Sequence, residues 1–228
     1  MKRRPLPPEA VRALESQAPR TWQRMLSGRR LNLIDPSPLD VEIHDIALGL
    51  ARNSRWNGQT TGPHAWSVAQ HSVLVVDALG RLSPASPCWV LLAALLHDAP
   101  EYVTHDLITP LKAAVGDVFR EIETRLQAAV NLAFGLPAVL PEAARAAIKR
   151  ADLAAAATEA VQLAGFGEDE VSSVLGIGEK PLPGVVLEPL PSAAAEALFL
   201  ERFERLYRTH SAGAAKAVFT AATDTFRF

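Results

Sequence analysis

Cysteine is nearly absent: Cys88 is the single thiol in 228 residues, so no intrachain disulfide can form and nothing in the chain implies an oxidising compartment. Long apolar runs are missing as well. The longest, Trp89 to Leu96, falls well short of the roughly 20 residues needed to cross a bilayer. The opening "MKRRPLPPEA" is basic but has no apolar stretch behind it, so no secretory leader is read there and a soluble, cytoplasmic protein with no membrane partner is expected. An excess of one charge is lacking too, with 23 basic against 25 acidic residues and a formal net charge of −2. That balance argues against a dedicated nucleic-acid binder, although residues 1–34 carry eight Lys/Arg against two Glu. The stretch is read as a solvated basic arm, and no nucleic-acid partner is expected. Alternating β-branched runs are scarce, whereas Ala and Leu are abundant and 49% of the chain is apolar. The fold class expected is all-α, in a chain long enough to bury a sizeable core.

Turn signals and helical periodicity divide the chain. Residues 27–66 start with turn formers, enter a helix after Asp40 and leave through Asn57-Gly58 and Gly62-Pro63. "SVAQHSVLVVDAL" opens with Ser67 as an N-cap and places Val68, His71, Val75 and Ala78 on one face, so His71 should point inward. "PCWVLLAALLHD", residues 87–98, is apolar nearly all round and predicts a central helix that ends or kinks at Pro100. Val118, Ile122, Leu126 and Val130 mark an amphipathic helix. Pro141 then opens a long helix on which Ile148, Asp152, Ala155 and Glu159 share a face. Residues 165–192 read as a connection, and Leu198, Phe203 and Leu206 as the apolar face of a last helix. One domain is expected over residues 27–210, with its core motifs in 44–165, between a basic arm at 1–26 and a tail at 211–228.

The histidines are unevenly spread. Five of six fall between residues 44 and 105, and His71 and His97 are predicted on inward faces of separate helices. With Asp98 and the inward Asp152 they offer two imidazoles and two carboxylates from three helices, a donor set suited to one divalent ion such as Mn, Co, Zn, Fe or Mg. Ionisable groups set beside an apolar core need a partner of this kind. If residues 97–101 keep a helical turn, Glu101 lies at i+4 from His97 and faces the same pocket. Read alone, Arg55 is equally a solvated charge and Trp56 a core or lid aromatic. Lys112 and Lys149 are ordinary surface lysines, and Asp106 caps the next turn.

The order His71, His97-Asp98, Asp152 resembles the H…HD…D signature of the HD-domain metal-dependent phosphohydrolases. More narrowly, "RWNGQTTGPHAWSVAQHS", "LLHDAPEYVTHDLITPLK" and "IKRAD" look like the branch holding bacterial deoxyribonucleoside 5′-monophosphatases of the YfbR type and phage dATP triphosphohydrolases. The likeness covers roughly residues 27–165. It implies an HD-domain helical bundle with the metal in the bundle core and His71, His97, Asp98 and Asp152 as ligands. It further implies Glu101 acting on the attacking water, Asp106 in proton handling, and Arg55, Trp56, Lys112 and Lys149 as substrate contacts.

The resemblance thus implies hydrolysis of the 5′-phosphate ester of a nucleotide, a 2′-deoxynucleotide above all, releasing either phosphate or triphosphate. It also suggests a homo-oligomer, since dimers are common in the family. Two other readings stay open: a hydrolase of a signalling nucleotide, for which the motif offers no second set of ligands, and a non-catalytic nucleotide-binding module. Pro100 and His105 depart from the smaller residues of the nucleotidase pattern, so the pocket rim is expected to differ. His105 is read as an exposed loop residue, His64 as lining the entrance, and His44 as part of a second, unsupported HD dipeptide.

Overall fold

The computed structural model describes residues 20–225, so most of the basic arm and the last three residues lie outside the described residues. The described chain opens on an antiparallel hairpin, β1 (Trp22–Arg24) and β2 (Arg30–Asn32), in which Gln23 stands opposite Leu31. In its turn, the Ser27 amide and hydroxyl both donate to the buried carboxylate of Asp45, at 3.0 and 2.5 Å. The boundary expected between residues 26 and 27 therefore falls inside a hairpin fastened to the first helix. Its polar sequence conceals this anchor, because the anchoring carboxylate comes from a distant segment.

A 3₁₀ turn at Pro38–Asp40, capped by the Ser37 hydroxyl, leads to α1 (Ile43–Arg52), which buries Ile46, Ala47 and Leu50. A second 3₁₀ turn, Arg55–Gly58, precedes α2 (Val68–Leu82). Ser67 caps α2 by accepting from the Gln70 amide at 3.2 Å, and Val68, His71, Val75 and Ala78 are buried along the predicted face. Then come α3 (Cys88–Leu95), α4 (Glu101–Thr104), α5 (Thr109–Val115) and α6 (Asp117–Ala133). The chain closes with α7 (Glu142–Gln162), α8 (Glu168–Ser173) and α9 (Ser192–Thr225). Among the described residues the hairpin is the only sheet, so the molecule is mostly helical, as composition predicts.

Three predicted boundaries shift. The apolar helix stops at Leu95, and residues 97–102 wind on through three-residue turns (Ala99 N to Leu96 O, Glu101 N to Asp98 O, Tyr102 N to Ala99 O), because Pro100 has no N–H to continue an α-helix. The connection at 165–192 contains α8, opened by a Glu170 carboxylate that accepts from the Gly167 amide. The expected tail is the far end of α9, whose backbone stays helical to Thr225; "AGAAKAVFTAA" is rich in the best helix former.

Helix α2 lies at the centre, packed against α7, α3 and α9, while α9 also crosses α1 and α3. Leu50, Leu79, Leu92, Leu95, Leu126 and Phe199 are fully buried in one continuous core. Each such side chain contributes roughly 1.5–3 kcal/mol by leaving water. On α9 the inward face is Ala195, Phe199, Phe203 and Leu206, with the predicted Leu198 half-buried beside it. Helix α1 meets α4 closely at Gly49, where a Cβ would come within 2.7 Å of the Tyr102 Cβ. That contact seats α4, and with it Glu101, against the bundle.

Candidate metal centre

Helices α2 and α7 and the turn after α3 each bring part of one site. His71 comes from the middle of α2, and Asp152 from the middle of α7, the helix packed against it. His97 and Asp98 come from the tight turn at the end of α3. Single ligand atoms of His71, His97 and Asp152 lie within 4.8 Å of one another, a group that could hold a metal ion. Asp98 reaches the same point: its Oδ2 is 3.5 Å from His71 Nε2 and 3.2 Å from His97 Nε2. Asp152 Oδ1 stands 3.2 and 3.9 Å from the same two nitrogens.

Hydrogen bonding sets the tautomer of each imidazole. His97 Nδ1 is 2.8 Å from the Ala94 carbonyl oxygen, which can only accept, so Nδ1 carries the proton. His71 Nδ1 is 2.6 Å from Glu159 Oε1, and the same reasoning holds for the ionised carboxylate. Both Nε2 atoms are therefore left facing the carboxylates, and both are buried with no hydrogen-bond partner. Two buried Nε2 atoms that face two carboxylates at 3.2–3.9 Å fit a cation between them, and without one a second proton on each ring pairs with those carboxylates. Its electrostatics agree. Burial and the Arg55 charge work against protonating His71, yet Glu159 and Asp152 hold its pKa up at about 9. Burial likewise opposes the charge on His97, which Asp98 and Asp152 raise to about 10. Asp98 and Asp152 go below the carboxylate range despite burial, held there chiefly by the two imidazoles.

Beyond the imidazoles opens a cavity of about 450 Å³. His97, Asp98, Glu101 and Asp152 are among its lining, and Val139, Leu140 and Ile148 add an apolar wall. Glu101 is buried; its Oε1 accepts from Lys112 Nζ at 3.0 Å, while Oε2 has no partner. Burial, followed by the charges of Asp98 and Asp106, pushes its pKa up to about 8 against the opposing pull of Lys112. The expected i+4 relation to His97 is replaced by an i+3 relation to Asp98, because side chains three apart eclipse in a three-residue turn.

Of the expected substrate contacts, Lys112 and Lys149 line the cavity, whereas Arg55 and Trp56 do not. Lys112 lies between Glu101 and Glu123, at 3.0 and 3.4 Å, and its amine lines the cavity. Lys149 is 66% exposed and donates to Asp152 Oδ2 at 2.8 Å, so it borders the site as a solvated arm. Arg55 and Trp56 lie outside the cavity lining: both donate to Glu159 Oε2 at 3.1 Å, and the Trp56 ring packs at 5.8 Å from Phe166. Arg55 also reaches Asp106 Oδ2 at 3.5 Å, which puts Asp106 in an ion pair rather than in a cap. His105 is exposed at φ +63°, His64 is exposed and off the cavity lining, and His44 is exposed on α1.

Sequence reasoning passed over Glu159. It is 0% exposed and accepts four hydrogen bonds, from His71 and from Trp66 Nε1 (2.9 Å) on Oε1 and from Arg55 and Trp56 on Oε2. Burial works against its charge, but Arg55 and His71 hold its pKa down at about 2. The signal was a second carboxylate two turns beyond Asp152 on the same alanine-rich face.

No family model matches the chain. It is 53% identical over 196 residues to the uncharacterized protein RCAP_rcc00048 of Rhodobacter capsulatus, covering 84% of this chain and 98% of that protein. It is 34% identical over 168 residues to the uncharacterized protein YfdR of Escherichia coli, covering 73% and 85% of the two chains.

Proposed function

The chain belongs to the family of these two bacterial proteins, and from its site we propose that it is a metal-dependent phosphohydrolase of the HD-domain type. It cleaves the 5′-phosphate ester of a nucleotide, above all a 2′-deoxynucleotide, to release phosphate or triphosphate. The observation that carries the reading is that the His71, His97 and Asp152 cluster, with its two buried Nε2 atoms, adjoins a cavity lined by His97, Asp98, Asp152, a lysine and a buried carboxylate with a free oxygen.

His71, His97, Asp98 and Asp152 would hold one divalent ion of the Mn, Co, Zn, Fe or Mg group, with Nε2 of each imidazole and a carboxylate oxygen of each aspartate as donors. Bound there, such an ion supplies Lewis-acid polarisation of the phosphoryl oxygen and a lowered pKa for water. Glu101 takes the proton of the attacking water at Oε2, the oxygen left free while Lys112 occupies Oε1. A new water-derived O–P bond forms as the bond from phosphorus to the sugar 5′-oxygen breaks, and the proton that Glu101 took from the water passes on to that leaving oxygen. Lys112, on the cavity lining, supplies positive charge for the oxygens of the phosphoryl group, and Arg55, held outside the lining by Glu159 and Asp106, adds its field to the site. The apolar wall of Val139, Leu140 and Ile148 suits the nucleoside end.

The test is to assay deoxynucleoside mono- and triphosphates with Mn²⁺, Co²⁺, Zn²⁺, Fe²⁺ and Mg²⁺, measuring phosphate and triphosphate release separately, in the wild type and three variants. Glu101→Ala should keep metal but lose about 10²- to 10⁴-fold in turnover; His71→Ala and Asp98→Ala should lose both. Absence of turnover with every ion rejects the enzyme reading, and wild-type turnover in Asp98→Ala rejects the site. Loss of metal in Glu101→Ala moves that residue among the ligands.

A further inference from the structure

Glu159 lies beyond the ligand set and off the cavity lining, yet it touches both halves of the proposed machinery. Its Oε1 accepts from His71 Nδ1 at 2.6 Å and from Trp66 Nε1 at 2.9 Å. Its Oε2 accepts from Arg55 Nε and Trp56 Nε1, each at 3.1 Å. All four partners are donors, so a carboxylate fits this place and an amide does not.

The peptide that delivers two of those donors is strained. Trp56 and Asn57 both sit in the left-handed region, at φ +56° and +51°, a conformation that costs a residue with a side chain. Neighbouring contacts hold it there: Arg55 N donates to the Trp66 carbonyl at 2.8 Å, and the Trp56 indole N–H is tied to Glu159.

We propose that Glu159 is a positioning residue that couples the metal centre to the Arg55–Trp56 turn and its positive charge, one oxygen orienting the His71 ligand and the other holding Arg55 and Trp56. The inference rests on the phosphohydrolase reading for the roles of His71 and Arg55. It goes further by making the two halves interdependent through one buried carboxylate. Because the Nδ1–H···carboxylate bond sets both tautomer and ring orientation, its loss changes the ligand field as well as the affinity.

Glu159→Gln is the informative change. The amide has one acceptor oxygen, so whichever way it turns, an NH₂ group meets two donors and one half of the coupling is broken. Three readouts independent of turnover are taken on protein whose fold is checked by circular dichroism: Co²⁺ affinity, the visible absorption spectrum of the Co²⁺-loaded protein, and the affinity of that protein for inorganic phosphate. The expected result is a loss of about 10- to 100-fold in Co²⁺ affinity, in phosphate affinity or in both, with an altered spectrum whenever the His71 half is the broken one. Should Glu159→Gln fail to fold, Trp66→Phe serves instead. It removes a single neutral donor from Oε1 and should alter the Co²⁺ spectrum while the fold stays intact.

A folded Glu159→Gln protein with wild-type Co²⁺ affinity, spectrum and phosphate affinity overturns the proposal, as does an unchanged spectrum in Trp66→Phe where that variant is the one used. Wild-type protein that binds Co²⁺ and phosphate but turns over no nucleotide defeats the functional reading and leaves the coupling standing. Wild-type protein that binds no Co²⁺ defeats both.

Discussion

Lys112 shows how a single side chain can hold a proton acceptor in readiness. Its amine lies 3.0 Å from Glu101 Oε1 and 3.4 Å from Glu123 Oε1, so it is shared between two carboxylates and lowers the pKa of both. Glu101 nonetheless stays at about 8, because burial and the charges of Asp98 and Asp106 outweigh that pull. If Glu101 must be ionised to accept a proton, removing Lys112 takes away a positive charge that holds its pKa down. The acid limb of the kcat/KM profile of Lys112→Met should then move to higher pH. A fall in kcat/KM with the limb unmoved would place Lys112 on phosphate alone. Residue types and order were enough to nominate His71, His97, Asp98, Asp152 and Glu101. They put Glu159 on the same inward face as Asp152 but gave it no role, because the four donors that define that role come from distant segments.

At the level of elements, the site depends on where helices stop and how closely they approach. The end of α3 at Leu95 hands the chain to three-residue turns that bring Asp98 and Glu101 onto one side. The short α4 that follows is held by α1 at Gly49 and by Asn53, whose side-chain amide donates to the Glu101 carbonyl at 3.3 Å. A methyl group at Gly49 would meet Tyr102 at 2.7 Å from its Cβ and 2.8 Å from its carbonyl oxygen. Backbone on the far side cannot yield as a flexible side chain would. Gly49→Ala should therefore cost about 1–3 kcal/mol despite the better helix propensity of alanine, and by displacing α4 it should lower turnover as well. Thermal denaturation checks the first effect, and an unchanged melting temperature would show that α1 and α4 can separate freely. The apolar periodicity of α2, α6 and α7 was legible because burial imposes it residue by residue. The turn after α3 was not, because Pro100 announces an interruption without stating its geometry.

Over the whole molecule, the buried charges make stability depend on pH and on bound cation. In the fold His71 and His97 keep their protons to about 9 and about 10, against 6.5 for an ordinary imidazole. The stability they contribute is complete below pH 6.5 and is lost as pH rises through those folded values. Glu101, at about 8 against 4.5, acts in the same direction between those two values. Glu159, at about 2 against 4.5, runs the opposite way: its contribution is present above 4.5 and lost on acidification. The melting temperature of chelator-treated protein should therefore decline steadily from pH 7 to pH 10, each titrating group contributing up to about 1.4 kcal/mol per pH unit. Saturating Co²⁺ should raise the melting temperature and remove that decline, since an ion on Nε2 replaces the proton. Calorimetry across that range, with and without the ion, measures both effects; a flat profile in the chelated protein would mean that the imidazoles are neutral without a cation.

What the amino-acid sequence determined by itself is the helical class, the inward faces of α2 and α7 and the chemical identity of the proposed ligands. These follow from local periodicity and side-chain chemistry, which need no distant partner to be read. Only the tertiary structure decided that the hairpin turn at Ser27 belongs to α1 and that Arg55 and Trp56 close on Glu159 rather than on the cavity. It also decided that Lys112 bridges two carboxylates and that the chain beyond residue 210 continues α9. The side-chain contacts among these pair residues from distant segments, some more than a hundred positions apart, and their energies arise only once the bundle has packed and excluded water from between them.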